Sequence, residues 1–333
     1  MPTLSLPAPK PGRPLQAALY RYRLPLSQPI RFHDQTLSVR EGLLLQWEES
    51  WGEIAPLPGF SQETLAEAEA EALLCLNSLR QGRHLAPQLP SVQFGFDCAL
   101  RNWPPHLNTA HAPYLLLLGT PDEITWSWRE WLYEYPARAK LKVARHAMRD
   151  ELAMIRELCR LAPRLKLILD ANGGWTREEA WTFMRHLNVA NIDYIEDPCA
   201  ALEDVRAVAS HTGIPVALDE LLVQHPDWEP FPQLKALVLK PMLIGSLARC
   251  KAQIDRAHQL GLRVIISSCY ESQLGNRLLA QLASEWAPEQ APGLDTLRYF
   301  TGNLLRGEPG NTTAHEANGL TVDTRQLELL WQS

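Results

Sequence analysis

The sequence has no apolar stretch long enough to cross a lipid bilayer and no recognisable secretory signal. Its longest apolar run is YLLLLG, at residues 114–119, whereas a transmembrane helix needs about 20 apolar residues. The N-terminal stretch MPTLSLPAPKPGRP lacks the apolar centre of a signal peptide, and its prolines predict a disordered lead-in. These features exclude a membrane partner and favour a cytoplasmic protein.

Cysteine pairs at metal-binding spacing and clusters of positive charge are missing too. The six cysteines lie far apart and form no CxxC pair, so neither a zinc site nor a dense disulfide framework is indicated. A formal net charge of -6 and a pI near 6.0 give no electrostatic footprint for nucleic acid. We therefore expect a small-molecule partner in a reducing compartment, and the oligomeric state stays open.

The chain does contain two regions of different patterning. Residues 17–50 have the pattern of short strands, and the loop IAPLPGFSQET then leads into a helix rich in Ala, Leu and Glu. After about residue 110, short apolar strands alternate with amphipathic helices such as AMRDELAMIRELCRL. The spacing of Thr176 and Glu179 is typical of a helix-capping box. This order predicts a small strand-and-helix unit followed by a larger α/β unit.

The strands of the larger unit end at regular intervals, and no glycine-rich phosphate-binding turn follows any of them. Successive strand ends are 21 to 28 residues apart, which fits one βα unit per step. A first strand near residue 115 and a last near GLDT bring the count to about eight. This pattern favours a (β/α) barrel over a doubly wound sheet. The residues at the strand ends are Lys142, Asp170, Glu196, Asp219, Lys240 and Ser267.

Three of these strand-end residues are carboxylates that lie between two lysines. Taken singly, each acid is as well explained by a turn or loop, and each lysine by a surface position. Five such residues in strand order are much harder to explain that way, because the carboxyl ends of barrel strands meet at one mouth. Together they predict an active site.

Three carboxylates at one mouth need a cation, because they cannot all ionise beside one another without one. Oxygen ligands favour Mg²⁺, with Mn²⁺ as an alternative, and the absence of histidine at these strand ends disfavours zinc. The predicted metal ligands are Asp170, Glu196 and Asp219.

The segment RAKLKVAR places Lys140 and Lys142 two residues apart on a predicted strand, so both side chains point to the same face. A lysine near a metal ion and a second lysine has a lowered pKa and can act as a base. We predict that Lys142 removes a proton next to a metal-bound substrate carboxylate, that Lys140 supports it, and that Lys240 acts from the other side.

At these residues the chain resembles the muconate-lactonising branch of the enolase superfamily. That branch has a lysine-x-lysine strand, metal ligands on three successive strands and a lysine on the next. Further stretches, spread over nearly the whole chain from about residue 18, are similar to the branch's dehydratase of the menaquinone pathway. These stretches are SWGEIAPLPGFSQET, LDAN, IEDPC, LDE, VLKPMLIGSL, ISSCYESQLG and PGLDTL.

The resemblance implies a modified (β/α) barrel with a small α+β capping domain built from both chain ends. We expect a disordered lead-in over residues 1–16. The capping domain is expected over residues 17–105, completed by residues 300–333, and the barrel over residues 106–299. The loop PLPGFS of the capping domain is expected to close over the substrate.

The resemblance also implies a reaction. It is the Mg²⁺-dependent syn-dehydration of 2-succinyl-6-hydroxy-2,4-cyclohexadiene-1-carboxylate (SHCHC) to o-succinylbenzoate, a carbon–oxygen lyase step. Lys142 is the implied acid–base residue, and Lys240 is expected to stabilise the enediolate. The side chains implied in substrate binding are Phe60, Asn172, Ser267, Ser268, Gly293 and Leu294.

Two other functions remain open at this stage. A racemase or dipeptide epimerase of the same superfamily would use the two lysines as two bases, although PGLDTL offers only Asp295 as a partner for an amino group. A catalytically silent barrel would have lost a ligand or a lysine, and none is missing here. We favour the dehydratase.

Overall fold

The computed structural model describes residues 16–32, 35–104, 114–130, 136–306 and 321–333. The predicted disordered lead-in falls almost entirely outside these residues. Two sheets organise the chain, an antiparallel sheet of four strands and a curled parallel sheet of seven. Among the helices of these ranges, none combines the length and the apolar character that a membrane crossing requires.

The antiparallel sheet joins the two ends of the chain. Its strand order is β11-β1-β2-β3, so the last strand of the chain pairs with the first. Two helices, α1 and α2, pack on this sheet and share a core with it. The elements are β1 (Ala17–Phe32), β2 (Gln35–Trp47), β3 (Ser50–Ile54), α1 (Leu65–Arg80), α2 (Pro90–Leu100) and β11 (Glu328–Gln332). We refer to this layer as the cap.

The parallel sheet forms the modified barrel, with strands in the order of the chain from β4 to β10. Most of its strands have a buried apolar centre, as expected for parallel strands that are covered on both faces. They are β4 (Leu115–Leu117), β5 (Arg138–Lys142), β6 (Lys166–Asp170), β7 (Ile192–Glu196), β8 (Val216–Leu218), β9 (Leu234–Leu239) and β10 (Arg263–Ile266).

An eighth strand, predicted near GLDT, is reduced to a single bridge. Gly293 pairs in parallel with Ser267, and its amide donates to the Ile266 carbonyl over 2.9 Å. A few residues later, Arg298 donates to the carbonyl of Leu116 on β4. The segment that starts at Gly293 therefore lies between β10 and β4 and closes the curl of the sheet.

Helices cover the outside of the barrel, and one of them begins at the capping box that the sequence predicts. Thr176 accepts a hydrogen bond from the Glu179 amide and Glu179 reaches back to the Thr176 amide, so the predicted capping box is confirmed. The helices are α3 (Pro121–Arg129), α4 (Met148–Leu161), α5 (Arg177–Met184), α6 (Leu202–Thr212), α7 (Glu220–Gln224), α8 (Pro241–Ile244), α9 (Leu247–Gln259) and α10 (Gln273–Trp286).

A buried carboxylate on β3 fixes the cap to the barrel. Glu53 is fully buried and accepts hydrogen bonds from the amide and hydroxyl of Ser272 at 2.9 and 2.5 Å. It also accepts from the Gly275 amide at 2.9 Å and from the hydroxyl of Tyr22 on β1 at 2.5 Å. The carboxylate thereby meets the first turn of α10, where a negative charge is favourable. The cap is held over the carboxyl ends of the barrel strands.

Candidate active site

The three predicted metal ligands converge at the mouth of the barrel. Asp170 ends β6, Glu196 ends β7 and Asp219 directly follows β8. Parallel pairing sets Asp170 opposite Glu196, so neighbouring strands deliver neighbouring carboxylates. All three side chains are buried, and one oxygen from each lies within 4.8 Å of the others. The sequence correctly predicts that these residues come together.

Two oxygens of this triad are buried without a hydrogen-bond partner in the described part of the chain. They are Oε1 of Glu196 and Oδ1 of Asp219. A buried polar atom without a partner is unfavourable, so native sites rarely leave one unsatisfied. The free oxygens and the all-oxygen donor set both fit a divalent cation held between the three strands.

Lysines occupy the two sides of the triad. Lys140 and Lys142 both contact Oδ2 of Asp170, at 2.8 and 2.7 Å, and Lys140 also bonds to Glu196. On the other side, Lys240 Nζ lies 2.5 Å from Oδ2 of Asp219. The prediction that Lys140 and Lys142 point to one face is confirmed.

The three carboxyl groups of the triad differ in pKa. Burial raises the pKa of Glu196 to about 8, and Lys140 opposes this rise only in part. Burial also raises the pKa of Asp219 to about 6. Burial acts in the same direction on Asp170, but Lys140 and Lys142 together hold its pKa below the ordinary value. A cation among them would favour the ionised form of all three.

Two of the lysines are held in the charged form. Burial alone would lower the pKa of Lys140, but Asp170 and Glu196 raise it well above the ordinary value. The pKa of Lys240 is likewise raised, because Asp219 and its neighbours outweigh the effect of burial. Lys142 is more open, with 32% of its side chain exposed, against 9% for Lys140 and 12% for Lys240.

Sequence reasoning missed a fourth carboxylate in the site, Glu220. Its Oε1 accepts from Lys240 Nζ at 2.9 Å and from Asn172 Nδ2 at 3.2 Å, and its Oε2 is buried without a hydrogen-bond partner in the described chain. The only signal was the acidic pair in LDE, where Glu220 directly follows the third predicted metal ligand, Asp219.

A cavity of about 310 Å³ opens over the triad and is lined by cap and barrel together. Among the predicted substrate contacts, the lining includes Phe60, Asn172, Ser267, Ser268 and Gly293. The Phe60 ring lies above the site, with its centroid 5.8 Å from Lys240 Nζ.

Leu294, the remaining predicted contact, is placed elsewhere. Its side chain is buried in the hydrophobic core and is not among the residues that line the cavity in the described chain. Arg145 and His146, which sequence reasoning did not select, lie on the cavity wall.

Comparison with known proteins agrees with both layers of the structure. A family model described as "MenC, N-terminal domain" matches residues 15–103, and one described as "Enolase C-terminal domain-like" matches residues 127–326. The o-succinylbenzoate synthase of Pectobacterium atrosepticum is 40% identical over 335 residues, covering 96% of this chain and 99% of the relative. That of Yersinia enterocolitica is 40% identical over 334 residues, covering 95% and 99%.

Solved structures share the fold of this chain. An o-succinylbenzoate synthase from Thermosynechococcus elongatus, complexed with Mg in the active site, matches with a TM-score of 0.67 at 26% identity, covering 87% of this chain and 95% of its own. The L-Ala-D/L-Glu epimerase of Bacillus subtilis matches with a TM-score of 0.68 at 17% identity, covering 95% and 98%, which shows a shared fold alone. By its near-complete match to curated relatives, this chain belongs to the o-succinylbenzoate synthase family of the enolase superfamily.

Proposed function

We propose that this protein is an o-succinylbenzoate synthase, a carbon–oxygen lyase of menaquinone biosynthesis. It would remove water from SHCHC by syn elimination and so produce the aromatic ring of o-succinylbenzoate. The observation that carries the proposal is the buried acidic triad between Lys142 and Lys240, in a chain whose relatives at 40% identity bear this name.

We propose that Asp170, Glu196 and Asp219 hold Mg²⁺, with Mn²⁺ as an alternative. The all-oxygen donor set and the two buried oxygens without partners support this assignment. When bound, Mg²⁺ would offset the negative charge that develops on the substrate carboxylate as the adjacent carbon loses its proton.

Lys142 is the proposed acid–base residue. It would take the proton from the ring carbon that bears the carboxylate and leave the electron pair on the resulting enediolate. The same ammonium group would then give the proton to the hydroxyl on the neighbouring carbon, and that carbon–oxygen bond breaks to release water. One residue serves both steps, because a syn elimination places both groups on one face. The greater exposure of Lys142 supports this role, since the base must be accessible to the substrate from the cavity.

Lys140 and Lys240 are proposed to act as charges. The contacts of Lys140 with Asp170 and Glu196 keep it protonated, so it holds a fixed positive charge beside Lys142. The ion pair of Lys240 with Asp219 keeps a positive charge on the opposite side of the cavity, where it would stabilise the enediolate.

The remaining residues of the cavity are proposed to position the substrate. Phe60 would cover the ring from the cap, and Asn172 would orient Lys142, to which it is bonded at 2.7 Å. Ser267, Ser268 and Gly293 would line the succinyl side. We leave Leu294 out of this set because its side chain lies in the core.

Each region of the chain would have its own part in this function. Residues 17–105 with residues 300–333 would form the capping domain, and residues 106–299 would form the barrel that carries the chemistry. The partner is a small-molecule carboxylate, and the reaction is placed in the cytoplasm.

The racemase or epimerase alternative needs a second base on the face of Lys240. That role requires Lys240 to lose its proton, yet Lys240 forms ion pairs with both Asp219 and Glu220, and without a bound cation these carboxylates outweigh burial and raise its pKa. The arrangement therefore favours one base and one fixed charge, as a syn elimination requires.

The test is an assay of the purified protein with SHCHC and Mg²⁺, following the absorbance of the aromatic product. Product should form, excess chelator should abolish turnover, and Mg²⁺ or Mn²⁺ should restore it. Glu196→Gln, which removes a ligand charge at nearly constant shape, should lower kcat by orders of magnitude. Absence of product with Mg²⁺ would contradict the function, and full activity in excess chelator would contradict the metal site.

A further inference from the structure

Arg40 on β2 is a buried arginine between the cap and the barrel. Only 2% of its surface is exposed, and in the described part of the chain its guanidinium pairs with no carboxylate. Its hydrogen-bond partners are backbone carbonyls. A buried charge is stable only where hydrogen bonds replace its contacts with water, so these carbonyls must be held in place around the guanidinium.

On the cap side, Arg40 holds the start of the loop that reaches the cavity. Nη1 donates to the carbonyl of Pro56 at 2.8 Å and to that of Glu41 at 3.0 Å, and Nη2 donates to the carbonyl of Ala55. Residues 55–61, here named the cap loop, continue to Leu57 and Phe60, which line the cavity.

On the barrel side, the same guanidinium reaches the loop after β10. Nε donates to the carbonyl of Tyr270 at 3.0 Å, and Nη2 lies 3.4 Å from the carbonyl of Cys269. Residues 267–272, here named the barrel loop, contribute Ser267, Ser268 and Tyr270 to the cavity. Both loops therefore contribute to the cavity wall, and their backbones meet at Arg40.

The backbone of the barrel loop is held in an unusual conformation. Tyr270 has a φ of 58°, in the left-handed region that is unfavourable for a bulky residue. Its amide donates to Ser268 Oγ at 2.9 Å, and its carbonyl accepts a hydrogen bond from Arg40. Such a conformation persists only where its surroundings impose it.

Only arginine has the shape for this arrangement. Its planar guanidinium offers five N–H donors in a fixed fork, so one side chain can bond to carbonyls on two loops at once. A lysine keeps the charge but presents three donors from a single atom, and cannot serve both loops with the same geometry.

We propose that Arg40 is a positioning residue that holds the cap loop and the barrel loop in one fixed arrangement, so that the two walls of the substrate cavity open and close as a single unit. It touches neither the metal ligands nor the lysines, so it acts on substrate capture through the loops. The kinetic consequence rests on the proposed function, whereas the coupling of the loops does not.

Hydrogen exchange of the Mg²⁺-loaded wild-type protein is the first test of the coupling between the two loops. Amides of the cap loop and the barrel loop should show matching protection, because one event opens both. In Arg40→Lys, amides of both loops should exchange faster by about 10-fold. Independent protection of the two loops in the wild-type protein, or acceleration of only one loop in the variant, would overturn the proposal.

A matched control exists in a second arginine that joins cap and barrel. Arg101, at the end of α2, forms an ion pair with Glu285 on α10 and touches neither loop. Arg101→Met should lower the thermal midpoint without changing exchange in the two loops. Equal effects of Arg101→Met and Arg40→Lys on those amides would show that Arg40 contributes only to general stability and does not couple the loops.

Kinetics then test the link to catalysis. Arg40→Lys should raise KM for SHCHC by about 10-fold, with a smaller change in kcat and an unchanged Kd for Mg²⁺. Combined with Phe60→Ala, its effect on kcat/KM should be less than additive, since both changes act through the cap loop. Unchanged KM in a variant with faster loop exchange would overturn the role in capture. Failure of the wild-type protein to convert SHCHC would instead contradict the proposed function and leave the exchange result intact.

Discussion

Asn172 donates a hydrogen bond from Nδ2 to Oε1 of Glu220 over 3.2 Å, and this contact completes a chain of hydrogen bonds between the two lysines that face the cavity. Lys142 Nζ donates to Asn172 Oδ1 at 2.7 Å, and Lys240 Nζ donates to Glu220 Oε1 at 2.9 Å. The proposed base and the proposed fixed charge are therefore linked by two polar side chains next to the triad.

Glu220→Gln should change the ionisation of Lys240. The carboxylate raises the pKa of Lys240, so its neutralisation should lower that pKa. Because the ammonium form is the active one, the loss of activity at high pH should begin at a lower pH, with kcat reduced by about 10-fold. The measurement is the pH profile of kcat. Glu229→Gln, at a largely exposed surface position, is the control, and an unshifted profile in Glu220→Gln would contradict the assignment.

Affinity for Mg²⁺ should rise with pH between about 6 and about 8. The pKa of Asp219 is raised to about 6 and that of Glu196 to about 8, so both carboxyls bind protons more tightly when the metal-free protein is folded. The free energy of unfolding of the metal-free protein should therefore fall as the pH rises and these groups ionise. Metal binding should release the protons that they still hold. Calorimetry in buffers of different ionisation enthalpy measures this release.

Glu196→Gln provides the control for that titration. Glutamine cannot ionise, so the upper part of the pH dependence should vanish and the affinity for Mg²⁺ should be weaker throughout. A wild-type affinity that is constant from pH 6 to pH 8 would show that the carboxyls are already ionised without the metal.

The positions of the proposed metal ligands and of the lysines could be predicted from the sequence because they depend on local periodicity. A strand places every second side chain on one face, and a barrel brings successive strand ends to one mouth, so the spacing of Asp170, Glu196 and Asp219 was sufficient. The sequence placed the eighth strand near GLDT correctly, but its periodicity did not indicate that this strand is reduced to the single bridge at Gly293.

The contacts of Arg40 and Glu220 could not be predicted in this way. Arg40 and Tyr270 are 230 residues apart, and their hydrogen bond depends on how the cap sits on the barrel. Glu220 was visible as an acidic residue beside Asp219, but its direction follows from α7 beginning at that residue. The predicted substrate contact of Leu294 differs from the structure for a related reason. A motif match does not say whether a side chain faces the cavity or the core.

The two lysines should respond differently to arginine. Lys142→Arg keeps the charge but cannot give up a proton, so it should lower kcat by about 10³-fold or more, as Lys142→Ala should. Lys240→Arg keeps the fixed charge and should retain measurable activity. Exchange of the α-proton with solvent deuterium should be lost in both Lys142 variants. An active Lys142→Arg beside an inactive Lys240→Arg would reverse the two assignments.

Phe60→Ala should weaken substrate capture with little effect on folding. The side chain is only partly buried and lies on the cavity wall in the cap loop. We expect KM for SHCHC to rise by about 10-fold and the thermal midpoint to change by a few degrees at most. The control in the same loop is Leu57→Ala, at a side chain only 3% exposed, which should cost about 2–5 kcal/mol of stability. A large loss of stability in Phe60→Ala with normal KM would make Phe60 a core residue instead.

Ala144→Gly should stabilise the protein, although glycine usually has the opposite effect. Ala144 has a φ of 59°, because the buried carboxylate of Glu151 accepts the amides of Ala144, Arg145 and His146 at 3.1, 2.9 and 3.0 Å and so fixes the turn after β5. The left-handed conformation costs an alanine about 1–2 kcal/mol, which exceeds the entropic cost of about 0.5–1 kcal/mol that glycine adds. A net gain of about 0.5–1 kcal/mol in the free energy of unfolding follows. Ala70→Gly, at an exposed position inside α1, lacks this strain and should lose about 0.5–1 kcal/mol of stability. Denaturant unfolding of the two variants compares them directly, and equal losses would show that the turn does not hold Ala144 in the left-handed region.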